Sequence, residues 1–172
     1  KELYEQGIET IPSDTVCYPA KLAHGHIQAL IDQNIPLIFY PGVIFERVEN
    51  TAAENHFNCP IVQSYPEVIR NNVDAIREGA VDYRCPFLNL ADEASMVKTL
   101  MGTFQDFGFS EDEIAQALRS GFEELDQFKA DIAQRGEETL RMLMTTNQKG
   151  IVLSGRPYHL DPEINHGIAE VI

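Results

Sequence analysis

Between Ile11 and Ile31 the chain reads IPSDTVCYPAKLAHGHIQALI, which places Ser13, Asp14, Cys17, Lys21, His24 and His26 within fourteen residues. A thiol, an amine and two imidazoles at such density point to soft-metal ligation, anion binding or acid–base work. Pro19 suits a first helical turn, and Leu22, Ala23, His26, Ala29 and Leu30 then recur at helical spacing. Cys17 is therefore expected at or just before a helix N-terminus. Free N–H groups and the helix dipole there favour a thiolate, an anion or a metal-bound sulfur. Lys21, one turn on, adds to that field. His24 and His26 are two apart, point in different directions on a helix, and make a poor metal pair.

Two further patches carry polar chemistry. After an apolar run at Ile35 to Tyr40 come Glu46, Glu54, Asn55, His56 and Cys59. His56 and Cys59 have a spacing that can chelate a metal, although a solvated histidine and a cysteine opening a strand explain it as well. Cys85 has only Arg84 as charged company and reads as structural. Near the other end, LSGRPYHLDPEINHGI offers Gly155 and Arg156, a close-approach glycine beside a fork-shaped donor for carboxylate or phosphate. His159, Asp161 and Glu163 suit acid, base or ligand roles, or equally a capping network. The sequence holds neither a Walker loop nor a GxGxxG fingerprint. Ser13, Lys21, His24, Gly155, Arg156 and His159 are thus the candidates for anion or ligand binding, and Cys17 and Cys59 those for metal.

The elements that must position these groups follow from the pattern. At 172 residues the chain is expected to form a single α/β domain. Lys1 to Gly7 reads as a helix, Ile8 to Ile11 as a short strand, and Pro19 to Gln33 as a helix. Ile35 to Tyr40 and Cys59 to Gln63 read as strands, Pro66 to Glu78 as a helix capped by Ser64, and Ala80 to Leu90 as a short strand and loop. Ile151 to Leu153 reads as a last buried strand, followed by a helix after Asp161. Alternating strands and helices predict a Rossmann-like, mostly parallel sheet. A long helical excursion at about 92–149 interrupts it, with a capping box at Ser110 and Glu113 and a possible break at Gly136. All five histidines (His24, His26, His56, His159, His166) lie outside the excursion, so chemistry is expected in loops that follow strands, where a parallel sheet gathers its ligands. Cys17, the Pro41-Gly42 turn and the Gly155-Arg156 loop should then border one cleft.

The net charge of −14 argues against nucleic-acid partners and anionic membranes, and no run reaches membrane-spanning length. Three cysteines at long spacings point to a reducing, cytoplasmic setting. A start at Lys1 without methionine and an apolar end at Ile168 to Ile172 read as a fragment of a larger multidomain chain.

SDTVCYPAKLAHGHI, NHFNCPIVQSYPEVIRNN and GRPYHLDPEINHGI, spanning nearly the whole chain, resemble the segment that follows the ATPase domains in CoA-substrate-specific enzyme activases. These proteins are similar to activators of 2-hydroxyacyl-CoA dehydratases, and the segment is similar to dehydratase and benzoyl-CoA reductase subunits. The resemblance implies a Rossmann-like domain in an anaerobic, ATP-driven, low-potential electron-transfer system. It implies a [4Fe-4S] cluster in the parent protein, with Cys17 as a ligand, and as partners the ATPase domains of the parent chain and a CoA-ester-metabolising enzyme. The turn after the second strand often reads FYPC in this family, and here it is FYPG, so Gly42 leaves one ligand position without a thiol. Cys59, or groups outside these residues, would have to replace it, and the cluster is expected to be incomplete or absent in this chain alone. A domain of this kind is not expected to be catalytic by itself. The alternative is a docking domain that keeps the fold and has lost the cofactor site. A cysteine hydrolase lacks an orienting third group.

Overall fold

A computed structural model describes residues 1–165 and 167–172, with the side chains of Pro157 and Ala169 left out. His166 lies outside the described residues. The order is α1 (Glu2–Gly7), α2 (Tyr18–Asp32), β1 (Leu37–Phe39), β2 (Gly42–Phe45), α3 (Pro60–Asn72), α4 (Asp74–Arg77), β3 (Asp82–Arg84), β4 (Phe87–Asn89), α5 (Glu93–Thr103), α6 (Glu111–Thr146) and α7 (Ile168–Val171). Strands β1 and β3 pair in parallel, as do β2 and β4, with Leu37 opposite Asp82 and Gly42 opposite Phe87. The fold is α/β with parallel strands, as the alternation predicts.

The two pairs are one ribbon interrupted by facing prolines. Pro41 and Pro86 fall at the same point of a common register. Neither offers an N–H, so the ladder breaks there. The amides on either side resume it, Tyr40 to the Arg84 carbonyl and Gly42 to the Pro86 carbonyl, each at 2.9 Å. One core cluster, with Ile27, Ile38, Tyr65 and Ile69, packs below the break. The other, with Leu88, Met96, Leu100 and Ile114, packs above it.

Three expected strands are not strands. Cys59 to Gln63 opens helix α3, because Pro60 presets the first turn and Ile61, Tyr65 and Ile69 repeat at four-residue steps. Ser64 lies inside that helix and donates to the Pro60 carbonyl instead of capping it. Helix α3 also runs through Pro66, whose ring nitrogen cannot bond the Val62 carbonyl. Ile8 to Thr10 closes a 3-10 turn after α1. Ile151 to Leu153 carries no regular secondary structure and pairs with no described strand, and Val152 is 92% exposed. The helical excursion therefore does not return the chain to the sheet.

Within the excursion the reading holds closely. Asp92 caps α5, Gly108 ends the following turn at φ +69, and Ser110 and Glu113 form a reciprocal capping box. Helix α6 passes Gly136 unbroken, because the solvent-exposed backbone there stays hydrogen-bonded to its own helix. The apolar stripe is core only at its start. Leu100, buried against α6, should cost about 2–5 kcal/mol as Leu100→Ala. The half-buried Leu118 and Leu125 should cost less, and the exposed Phe128→Ala should stay within about 0.5 kcal/mol. Thermal melts of the four variants check this order.

Arg84 ties the ribbon to the α5–α6 connection. Its guanidinium donates to Asp106 at 2.6 and 2.7 Å, to Asp82 and to the Thr103 carbonyl, and lies over the rings of Phe104 and Phe107.

Candidate thiol pocket

Helices α2 and α3 are each entered through a cysteine. Cys17 is the N-cap of α2 and Cys59 the N-cap of α3, each with extended backbone and a proline in the first turn. Neither side chain bonds its helix, so both sulfurs remain available. The two line one pocket of about 380 Å³, whose other walls include Tyr40, Tyr65, Arg156 and Tyr158. Groups 42 residues apart in sequence thus meet where two helix dipoles present their positive ends. A guanidinium on the wall adds to a field that favours thiolate sulfur and anionic ligands.

The loops that hold the cysteines are tied down locally. The Lys21 ammonium donates to the Asp14 carbonyl at 2.7 Å, and Ser13 bonds the Thr15 hydroxyl. Asn58 accepts the Cys59 amide, donates to Glu46 at 2.6 Å, and offers its carbonyl to Gln63. On the far wall the His159 Nδ1 accepts the Arg156 amide at 3.0 Å. A Cβ on Gly155 would come within 2.6 Å of that same nitrogen, so Gly155 is small because the loop closes on His159. Among the anion and ligand candidates, Arg156 reaches the pocket, whereas Lys21, Ser13, Gly155 and His159 shape the segments around it. His26 is exposed and His56 half-buried, neither lining this pocket.

His24 lies behind the pocket wall. Its Nδ1 is 2.7 Å from the Thr10 hydroxyl and its Nε2 3.0 Å from the Tyr65 hydroxyl. Thr10 already donates to the Gly7 carbonyl at 3.0 Å, so it must accept from His24. Nδ1 therefore carries the proton, and Nε2 accepts from the Tyr65 O–H. Burial lowers the His24 pKa. Burial, reinforced by the neighbouring Cys17 and Tyr40, pushes the Tyr65 phenol up to about 12. An unfolded His24 protonates near pH 6.5 while the folded one resists. The stability this group contributes is full above pH 6.5 and is lost as pH falls toward its folded pKa. Denaturant melts should thus show stability dropping from pH 7 to 5.5, and His24→Gln should be less stable at pH 7 yet nearly flat across that window.

Cys85 is of another kind. It is buried at the ribbon break, donates to Glu67 at 3.4 Å, and burial raises its thiol to about 11. Iodoacetamide at neutral pH should modify the exposed Cys17 well before Cys85. Equal slow labelling of both would remove the case for an accessible Cys17. Among the described residues no three histidine, cysteine or carboxylate side chains stand as a metal-binding group. Thiolates are soft ligands, and Cys17 and Cys59 would be two of a larger set in any soft-metal or iron–sulfur centre.

Sequence reasoning grouped Tyr40 with the loop after the second strand but missed Tyr65, since no one-dimensional signal links it to a histidine 41 positions away. It also read Gly42 as an emptied ligand position. A Cβ there would lie 2.6 Å from the Gln63 carbonyl oxygen and 2.9 Å from the Phe87 ring, so α3 and the ribbon touch through this glycine.

The family model described as CoA enzyme activase uncharacterised domain (DUF2229) matches residues 1–172. The chain belongs to this family. The match covers all three motifs of the resemblance, the two N-cap cysteines among them. Comparison of the chain with curated proteins and with solved structures returned no match. No described helix is long and apolar enough to cross a membrane.

Proposed function

We propose that this domain takes part in ATP-driven, low-potential electron transfer linked to a 2-hydroxyacyl-CoA dehydratase system. In this reading Cys17 and Cys59 are thiolate ligands of a [4Fe-4S] cluster whose remaining ligands come from outside these residues. The supporting observation is the meeting of the two N-cap thiols in one pocket. A bound cluster would supply a one-electron carrier. The chain's own contribution is to hold two sulfurs at helix N-termini, to set Arg156 beside them, and to exclude water with Tyr40 and Tyr65. The ATPase activity belongs to other domains of the parent chain, and the domain alone does not catalyse a reaction.

Anaerobic reconstitution with iron and sulfide tests the ligand set. The parent protein should take up a cluster with the absorbance and iron content of [4Fe-4S], and Cys17→Ser and Cys59→Ser should each abolish it. The 172-residue chain, purified in air, should hold no intact cluster. Stoichiometric four-iron binding by the chain alone would overturn the shared-site reading.

A second reading, a docking domain without a cofactor, draws support from Gly42, where packing leaves no room for the thiol that the resemblance anticipates. Parent protein that takes up no iron, with Cys17→Ser unchanged in every assay, would favour it.

A further inference from the structure

Arg156 stands apart among the cations of this acidic chain. Arg47, Arg70, Arg77, Arg84, Arg119 and Arg135 each hold a carboxylate within ion-pair distance. Among the described residues, the two remaining arginines pair with none: Arg141, exposed on α6, and Arg156, on the wall of the thiol pocket. No aspartate or glutamate lines that pocket, although the chain carries 27 acidic residues against 13 lysines and arginines. Two acids on neighbouring segments are engaged elsewhere. Asp161 accepts the Glu163 amide at 2.8 Å, and Glu46 accepts from Asn58 at 2.6 Å. The pocket thus offers an unopposed guanidinium within a chain whose net charge of −14 repels anions at large.

The rest of the wall selects what the anion carries. Beside Arg156 the lining includes the tyrosines Tyr40, Tyr65 and Tyr158 and the aliphatic Ile61 and Val62. The Tyr65 O–H is committed to His24, so it has no proton to give the pocket. A bare hydrated anion would leave these surfaces unused. A planar carboxylate matches the fork of a guanidinium, and a hydrocarbon body matches rings and aliphatic side chains. A volume of about 380 Å³ accommodates one small organic acid.

We propose that the thiol pocket binds an organic monocarboxylate with an apolar body, its carboxylate held by Arg156. The binding does not require iron in the pocket. The probe is 4-phenylbutyrate, with 4-phenylbutyramide as its neutral counterpart and inorganic phosphate as the bare anion. NMR titrations of the whole chain, with a chelator present, should show the carboxylate bound at least about tenfold more tightly than the amide or phosphate. Arg156→Gln should weaken carboxylate binding by about tenfold or more, while Arg141→Gln should leave it unchanged. Arg156→Gln replaces an exposed side chain and keeps the backbone amide that bonds His159, and circular dichroism confirms that the variant is folded. Because the chelator excludes iron, failure here leaves the iron-uptake test standing, and failure of iron uptake leaves this one standing. Absent carboxylate binding, equal binding of acid and amide, or acid binding that survives Arg156→Gln would overturn the proposal. Phosphate bound as tightly as the acid would overturn it in favour of a site for bare anions.

Discussion

Gly25→Val should be the most destabilising single substitution on the cysteine-bearing side of the domain. Gly25 and Gly7 form the crossing between α1 and α2, and a Cβ on Gly25 would fall onto the Leu3 carbonyl oxygen. A backbone atom cannot rotate away, so α1 must lift off and expose His24. Overpacking costs about 1–3 kcal/mol where side chains can yield, and more where they cannot. The loss here is expected at about 3 kcal/mol or above, or a melting point lower by roughly 10 °C for a chain of this size. Gly102→Ala, in the last turn of α5, is the matched control, since its Cβ would meet nothing within 4 Å and alanine there should not destabilise the protein. A Gly25→Val protein as stable as the parent would mean that the two helices do not cross through these glycines.

The second large effect concerns the position at which the family resemblance anticipates a cysteine. Gly42→Cys should weaken the protein by about 1–3 kcal/mol, because the new Cβ collides with the Gln63 carbonyl and the Phe87 ring. Helix α3 would be pushed from the ribbon, and Cys59 at its N-cap would move with it. The variant thus gains a thiol and loses the geometry of another. The added thiol should stay unreactive to a disulfide reagent until denaturant is present. A Gly42→Cys protein that melts with the parent and labels readily would contradict the packing role of this glycine.

The helices were the legible part of this sequence. Tyr18–Asp32 and the capped start of α6 follow from proline placement, a capping box and spacing, which are local signals. The strands were less legible, because three-residue strands hold too few residues to show a period. Ile61-Val62 and Ile151-Val152-Leu153 are alike in β-branched content, yet the first pair continues a helical repeat and the second run meets no partner strand among the described residues. At the site, Cys17 stood out by the company it keeps, and Arg156 by its glycine. Cys59 could be placed beside Cys17 only once its segment was known to begin a helix. The Thr10–His24–Tyr65 chain is tertiary throughout, so no spacing announces it.

The central claim is that Cys17 and Cys59 act as a pair. Anaerobic titration of the reduced chain with cadmium, followed by sulfur-to-metal charge-transfer absorbance, tests it most directly, since soft thiolates bind this ion when two can reach it together. The account predicts one equivalent bound with two thiolates, lost in Cys17→Ser and in Cys59→Ser and retained in Cys85→Ala. A band that persists in Cys59→Ser, or that requires Cys85, would contradict the pairing.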